Sequence, residues 1–182
     1  MIVADGGSDD ATARLAAPLC DRVVVAPRGR ASQMNAGARE ARGDILLFLH
    51  ADTRLPGNFV LENHVWGRFD VRIEGRHWLL PVVAWSMNLR SRLTGIATGD
   101  QAIFVRRDAF PGFPQLPLME DVAFSKAMKR RSRPACLRQK VTTSGRRWES
   151  RGVLRTIVLM WRLRLLFFLG ISPDKLARRY ER

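Results

Sequence analysis

Ile45-Leu46-Leu47-Phe48-Leu49-His50-Ala51-Asp52 runs five apolar residues straight into a histidine and an aspartate. Five apolar residues in a row leave no solvated face, which predicts a fully buried central strand with His50 and Asp52 at its carboxyl end. Working outward, short runs rich in Val, Ile and Leu alternate with helix-length segments. Ile2 to Ala4 reads as a first strand, Ala11 to Pro18 as a helix capped by Ser8 or Asp9, Arg22 to Ala26 as a strand and Arg30 to Arg42 as a helix ending at Gly43. Such alternation predicts an α/β fold with a mostly parallel central sheet flanked by helices.

Beyond the central stretch, period-two alternation over Val65, Gly67, Phe69, Val71 and Ile73 predicts a half-exposed antiparallel strand. Trp78 to Leu93 and Glu120 to Arg131 read as helices, Gln101 to Arg106 and Leu137 to Thr143 as strands. Pro111, Pro114 and Pro117 force an irregular loop. The chain closes with a long apolar helix over Val153 to Leu169 and a short one opened by Ser172-Pro173-Asp174. With 182 residues there is room for one domain and no second catalytic domain.

Charge narrows the partners. The chain has 31 basic and 17 acidic residues, for a net charge of +14, and 27 of the basic residues are arginine. These are dispersed, and no helix-turn-helix, zinc or RNP pattern accompanies them, which disfavours nucleic acid. Cys20 and Cys136 form neither a metal motif nor a disulfide framework and are read as reduced thiols of a cytosolic protein. His50, His64 and His77 contain no H-x-x-x-H pair, against a zinc hydrolase. Arg155, Arg162 and Arg164 interrupt the run Val153 to Gly170, so this helix should not cross a membrane. Three settings remain open for it: an anionic membrane surface, a packed position on the sheet, or a contact in a homodimer.

Ligands of open α/β sheets bind beyond the carboxyl ends of the strands, where three polar clusters fall: Asp5 to Asp10, His50 to Asp52, and Gly99-Asp100-Gln101. A carboxylate fixed at a strand end suits a hard divalent cation, which singles out Asp52, although a turn or cap role fits the same spacing. Glu120 and Asp121 open a helix, where they also complement its dipole. Arg146-Arg147-Trp148 is either a phosphate and sugar clamp or a solvated basic turn.

Three of these stretches carry a resemblance. Val3-Ala4-Asp5-Gly6-Gly7-Ser8-Asp9-Asp10-Ala11-Thr12 resembles the nucleotide-binding turn of family 2 glycosyltransferases, and Leu49-His50-Ala51-Asp52-Thr53 resembles their D-x-D metal motif. Gly99 to Arg107, Phe110 to Phe113 and Glu120-Asp121 are similar to the block that closes their catalytic region, and the Arg-rich end resembles a small bacterial subgroup. The resemblance implies a GT-A fold. It implies inverting transfer of a sugar from a nucleotide diphosphate, of UDP or GDP type, to the hydroxyl of a small or lipid-linked acceptor, assisted by Mn²⁺ or Mg²⁺.

By the same carry-over Asp121 is the base with Glu120 beside it, and Asp52 and His50 face the metal. Asp5, Ser8, Asp9, Arg30, Asn35, Asp100, Gln101, Arg147 and Trp148 line the donor. Residues 1–107 would bind the nucleotide sugar, 108–150 would hold the acceptor and the chemistry, and 151–182 would be a helical tail. His50 stands where the family has an acid, and a softer ligand favours Mn²⁺. The family carries a strand and helix ahead of the residues matching Asp5, so an open backbone edge is expected on Ile2 to Ala4. Two alternatives stand beside the transferase: a nucleotidyltransferase, which expects a basic glycine-rich turn where this one is acidic, and a non-catalytic module binding a membrane surface or its own copies. The expected location is cytoplasmic, peripheral on the inner face of the membrane.

Overall fold

The computed structural model describes residues 1–61 and 64–181. In chain order the elements are β1 (Ile2–Asp5), α1 (Thr12–Ala16), β2 (Arg22–Val25), α2 (Arg30–Glu40), β3 (Ile45–Leu47), β4 (Thr53–Arg54) and β5 (Trp66–Glu74). Then follow α3 (Leu80–Thr94), β6 (Ile103–Arg106), α4 (Glu120–Lys129), β7 (Ala135–Ser144), α5 (Arg146–Arg151), α6 (Val153–Phe168) and α7 (Pro173–Glu181). Asp10, and neither Ser8 nor Asp9, holds the start of α1, its carboxylate accepting from the Thr12 amide at 2.9 Å.

The α/β expectation holds, but the sheet is mixed. β1 and β2 form a parallel pair of their own, and a five-stranded sheet runs β3-β6-β5-β7-β4. In the latter β6 is antiparallel to both β3 and β5, β4 is antiparallel to β7, and only β5 and β7 run parallel. The expectation of a mostly parallel sheet fails because β6, though joined to β5 through α3, lies antiparallel between β3 and β5, and β4 lies antiparallel on β7. The open edge expected on Ile2 to Ala4 is there among the described residues: β1 is hydrogen-bonded to β2 alone, apart from the Gln33 amide, which donates to the Ala4 carbonyl at 2.9 Å.

The central position belongs to β5, and β3 lies at the edge, bonded only to β6, with Leu49 41% exposed. Apolar content misplaces the two strands because β5 hides its polar face. Arg68 is 0% exposed and its guanidinium pairs with Asp70, donates to Ser91 Oγ at 3.0 Å and to the Asn88 carbonyl at 3.1 Å. Arg92 reaches the second oxygen of Asp70 at 2.6 Å. Every charge in this group has an opposite partner under α3, the condition under which buried ions are tolerated. The strand that alternates in sequence is therefore buried on both faces from Trp66 to Val71, and only Arg72 and Glu74 reach solvent.

Three apolar clusters set the frame. Phe69, Val71, Ile73 and Phe104 meet Leu80, Val83 and Met87 of α3; Trp66, Phe113, Phe124 and Met128 pack on Leu46, Ile103 and Val105; Ile96, Leu118, Val122, Leu163 and Leu176 bind the tail. Gly67 is required where the strands approach, since a Cβ there would collide with the Ala135 carbonyl and the Phe104 ring.

Candidate active site

The acidic turn after β1 is built by its own aspartate. Asp5 Oδ2 accepts from the Gly7 and Ser8 amides at 3.0 and 2.9 Å, and Ser8 Oγ donates to Oδ1 at 2.6 Å. The Ser8 hydroxyl first, then these amides, hold the Asp5 carboxyl below its ordinary pKa. Gly7 takes φ +77°, which a side chain would resist. The carboxylate expected on the nucleoside is thus occupied in shaping the loop, while Ser8 and Asp9 stand exposed on it.

The turn abuts the start of α2. Gln33 bridges the Ala4 carbonyl and the Gly29 amide, and one turn earlier Arg30 forms a forked pair with Glu120, Nε to Oε1 at 2.8 Å and Nη2 to Oε2 at 3.3 Å. The acidic loop and the start of α4 therefore meet the same first turn of α2. Asn35 follows one turn further along α2. Its amide is used in both directions on the Phe113 backbone, each bond 2.8 Å, which pins the proline-rich loop that leads to Glu120.

Asp121 closes the arrangement from the other side. Its Oδ2 accepts from the Gly99 amide at 3.0 Å and its Oδ1 from the Val122 amide at 2.7 Å. His50, beyond the carboxyl end of β3, places Nδ1 3.4 Å from Asp100 Oδ1. Burial works against the charge on both, but their mutual hydrogen bond and attraction outweigh it, raising the imidazole pKa and lowering the carboxyl pKa. Gly99 is required beside the ring, since a Cβ there would overlap His50 Cε1 and Nε2. Gln101 is correctly placed in this segment but points away. It is 0% exposed, accepts from Thr98 and donates to Asn88 Oδ1 at 3.3 Å, so it stabilises the turn.

Glu120, 2% exposed, has its pKa pushed up to about 7 by burial and by the charge of Asp121, against the pull of Arg30. Met119, just before it, and Ala102, just after the Gly99 turn, both have positive φ, +67° and +47°. Non-glycine residues in that region store about 1–3 kcal/mol each and concentrate at functional sites.

Two arginines absent from the sequence expectations stand behind the carboxylates. Arg90 Nε and Nη2 and Arg164 Nε are buried without hydrogen-bond partners among the described residues. Burial and the charge of Arg164 push Arg90 down to about 10, and both guanidiniums feel the opposite charge of Asp121. Neither lies in a motif: Arg90 stands among Asn88, Ser91 and Arg92, and Arg164 within the apolar run of α6. Arg147 also faces this region, its charge acting on Asp100, while Nη1 donates to the Tyr180 hydroxyl at 2.9 Å. Arg146 to Arg151 is the helix α5 and not a turn, and Trp148 packs on the first apolar cluster.

Asp52 is exposed two residues past His50, with the Thr53 hydroxyl 3.4 Å from Oδ1. Among the described residues no three His, Cys, Asp or Glu side chains group to hold a metal ion. A lone exposed carboxylate fits the other mode of hard-cation binding, in which one or two carboxylates share the ion with substrate phosphates and water. At the opposite end of β3, a cavity of about 400 Å³ lies among Asp44, His64, Arg106 and Asp108. Asp44 and Asp108 pair there with Arg107 and Arg106, and none of the clustered carboxylates borders it.

Residues 1–65 match the family model described as Glycosyl transferase family 2, which spans the acidic turn, α2, β3 and the His50 to Asp52 segment. No curated protein and no solved structure matches the chain.

Proposed function

We propose that this chain, whose residues 1–65 carry a family 2 glycosyltransferase domain, transfers a sugar from a nucleotide diphosphate to an acceptor hydroxyl with inversion. The observation that carries the reading is the meeting of Asp121 with the Gly99 turn, beside His50-Asp100 and Glu120-Arg30, from four separate parts of the chain. In the reaction the acceptor oxygen attacks the anomeric carbon, the bond from that carbon to the phosphate oxygen breaks, and the nucleoside diphosphate leaves. Asp121 takes the acceptor proton. Glu120 is a weaker candidate for the base, because both its oxygens are held by Arg30.

The donor belongs on residues 1–107, with Ser8 and Asp9 at the nucleoside, Arg30 and Arg147 at phosphate, and Asp100 at a sugar hydroxyl. Residues 108–150 supply the acceptor side. The unpartnered donors of Arg90 and Arg164 support an anionic reactant, since a buried guanidinium without a partner is costly and a phosphate satisfies it bidentately. Asp52 would hold Mn²⁺ or Mg²⁺, which when bound neutralises charge on the departing diphosphate. His50, held by Asp100, is placed to support that end of the site from the side.

The test is thermal melting with UDP, GDP and a panel of nucleotide sugars in the presence of Mn²⁺. At least one should raise the melting temperature, and Asp52→Ala should remove the rise. Asp121→Asn should keep the rise and lower turnover by about 10²–10⁴-fold, the usual share of a general base. No shift with any donor overturns the reading. A second reading, a non-catalytic binding module, is favoured by the Asp5 carboxylate being consumed in its own loop. It expects no shift with any nucleotide sugar.

A further inference from the structure

The outer side of the molecule opposite the sheet carries two apolar rows on neighbouring helices. Val82, Trp85, Leu89 and Leu93 of α3 follow one another at intervals of three and four residues, with Trp78 in the turn that enters the helix, and Leu154, Val158, Trp161, Leu165 and Phe168 do the same on α6. At such intervals side chains share one helix face. Both faces are exposed: the three tryptophans Trp78, Trp85 and Trp161 are 75%, 64% and 72% accessible. The opposite faces are buried, through Leu80, Val83, Ala84 and Met87 on α3 and through Val153, Thr156 and Leu163 on α6. Val153 and Ile157, at the start of α6, share a cluster with those α3 residues, and Arg164 acts on Arg90 further along, so the two helices flank one core with their apolar rows exposed.

Scattered exposed apolar residues mean nothing, but two adjoining rows that include three tryptophans mark a contact surface. Its charge selects the occupant. From residue 75 to 99 and from 150 to 173 the chain has no aspartate or glutamate, whereas Arg76, Arg151, Arg155 and Arg162 are exposed there. Arg155 and Arg162, seven apart, border the α6 row, and Lys126 lies 4.4 Å over the Phe168 ring at its end. A second copy laid on this face by a two-fold axis would bring arginine against arginine, and the acid at its margin, Glu149, is already taken by the Arg76 and His77 amides. An anionic lipid surface offers the complement: phosphates for the guanidiniums and the headgroup boundary for indole rings. No helix among the described residues is long and apolar enough to cross a membrane, so the contact is peripheral.

We infer that the outer faces of α3 and α6 form one surface that docks on an anionic lipid bilayer, with Trp78, Trp85 and Trp161 entering the headgroup layer and the arginines contacting lipid phosphate. The inference extends the membrane reading of α6 to α3 and does not depend on sugar transfer. The same two helices turn Arg90 and Arg164 inward to the carboxylate cluster, so docking brings that cluster close to the lipid surface.

Co-sedimentation of the full chain with vesicles of phosphatidylcholine alone, or mixed with phosphatidylglycerol, tests it. The chain should pellet with the mixed vesicles, release at high salt, and shift its tryptophan emission to the blue on binding. Trp85→Asp combined with Trp161→Asp should lower the affinity at least about tenfold with an unchanged melting temperature, as both sites are exposed. Arg155→Gln combined with Arg162→Gln leaves the apolar rows intact and should weaken binding to the mixed vesicles only, which decides the matter even where the tryptophan variant fails to fold. No pelleting with anionic vesicles overturns the inference, as does equal pelleting of parent and both variants. So does a dimer, seen by sedimentation equilibrium, that the tryptophan variant splits and that ignores lipid. Nucleotide-sugar binding is measured separately, and its failure leaves the vesicle result standing.

Discussion

The β1–α2 part and the five-stranded sheet are held together in opposite ways. Before Ala31, Ala26 is the only residue among the buried hydrophobics, and the local order comes from Asp5, Asp10 and Gln33 bonding nearby backbone. Around β5, by contrast, Phe69, Phe104 and Val141 are fully buried and even the polar face is closed by Arg68, Asp70 and Arg92. A loop proposed to receive a ligand keeps its polar groups at the surface and relies on short-range hydrogen bonds, whereas the five-stranded sheet is packed from both sides.

The largest effect expected from this contrast is at Gly67. Gly67→Ala pushes a methyl group into the Ala135 carbonyl and the Phe104 ring at the middle of the sheet, and should cost about 3 kcal/mol or more in urea unfolding. A loss below about 0.5 kcal/mol would mean that the sheet yields as readily as the loops.

The next effect lies where the two parts meet. Glu120 is raised from its ordinary 4.5 to about 7, so the folded chain holds that proton more tightly than the unfolded one. Its contribution is fully present below pH 4.5 and is lost as pH rises through 7. Glu120→Gln removes the titration. Across that window the parent should lose stability on the order of 2–3 kcal/mol more than the variant, read from unfolding at pH 5 and pH 8. Parallel curves for the two would place Glu120 in a solvated setting.

The smallest effect on folding is expected in the acidic turn. Ser8→Ala removes the shortest of the bonds to Asp5, yet the melting temperature should stay within about 2 °C, since a single loop hydrogen bond is lost. Donor affinity should nevertheless fall, by about tenfold in calorimetric titration, because the turn loses its shape. A large drop in melting temperature with donor binding kept would reverse the contrast between the two parts.

Much of the candidate site was legible along the chain because its signals are local. Asp5 to Asp10 announces a strand-turn-helix by its glycines and carboxylates, and Glu120-Asp121 opens α4 as its dipole favours. The residues whose orientation the sequence could not give share one feature: their side chains answer to partners far away in sequence. Gln101 turns to Asn88, Asn35 to Phe113, and Trp148 to the first apolar cluster. Arg90 and Arg164 lie in no motif, and only the tertiary packing leaves their donors buried and, among the described residues, unpaired.

By itself the sequence determined the elements, the acidic turn, the order of the polar clusters and the cationic apolar helix, because helix caps, turn residues and apolar periodicity act over a few neighbours. Strand order lay beyond it. That β5 is central and β3 an edge, that the sheet is mixed, and that Glu120 faces Arg30 while Asp121 faces Gly99 depend on which surfaces meet across long separations. Those choices are made by the burial of whole faces and by the pairing of buried charges, and neither can be summed until the chain has folded.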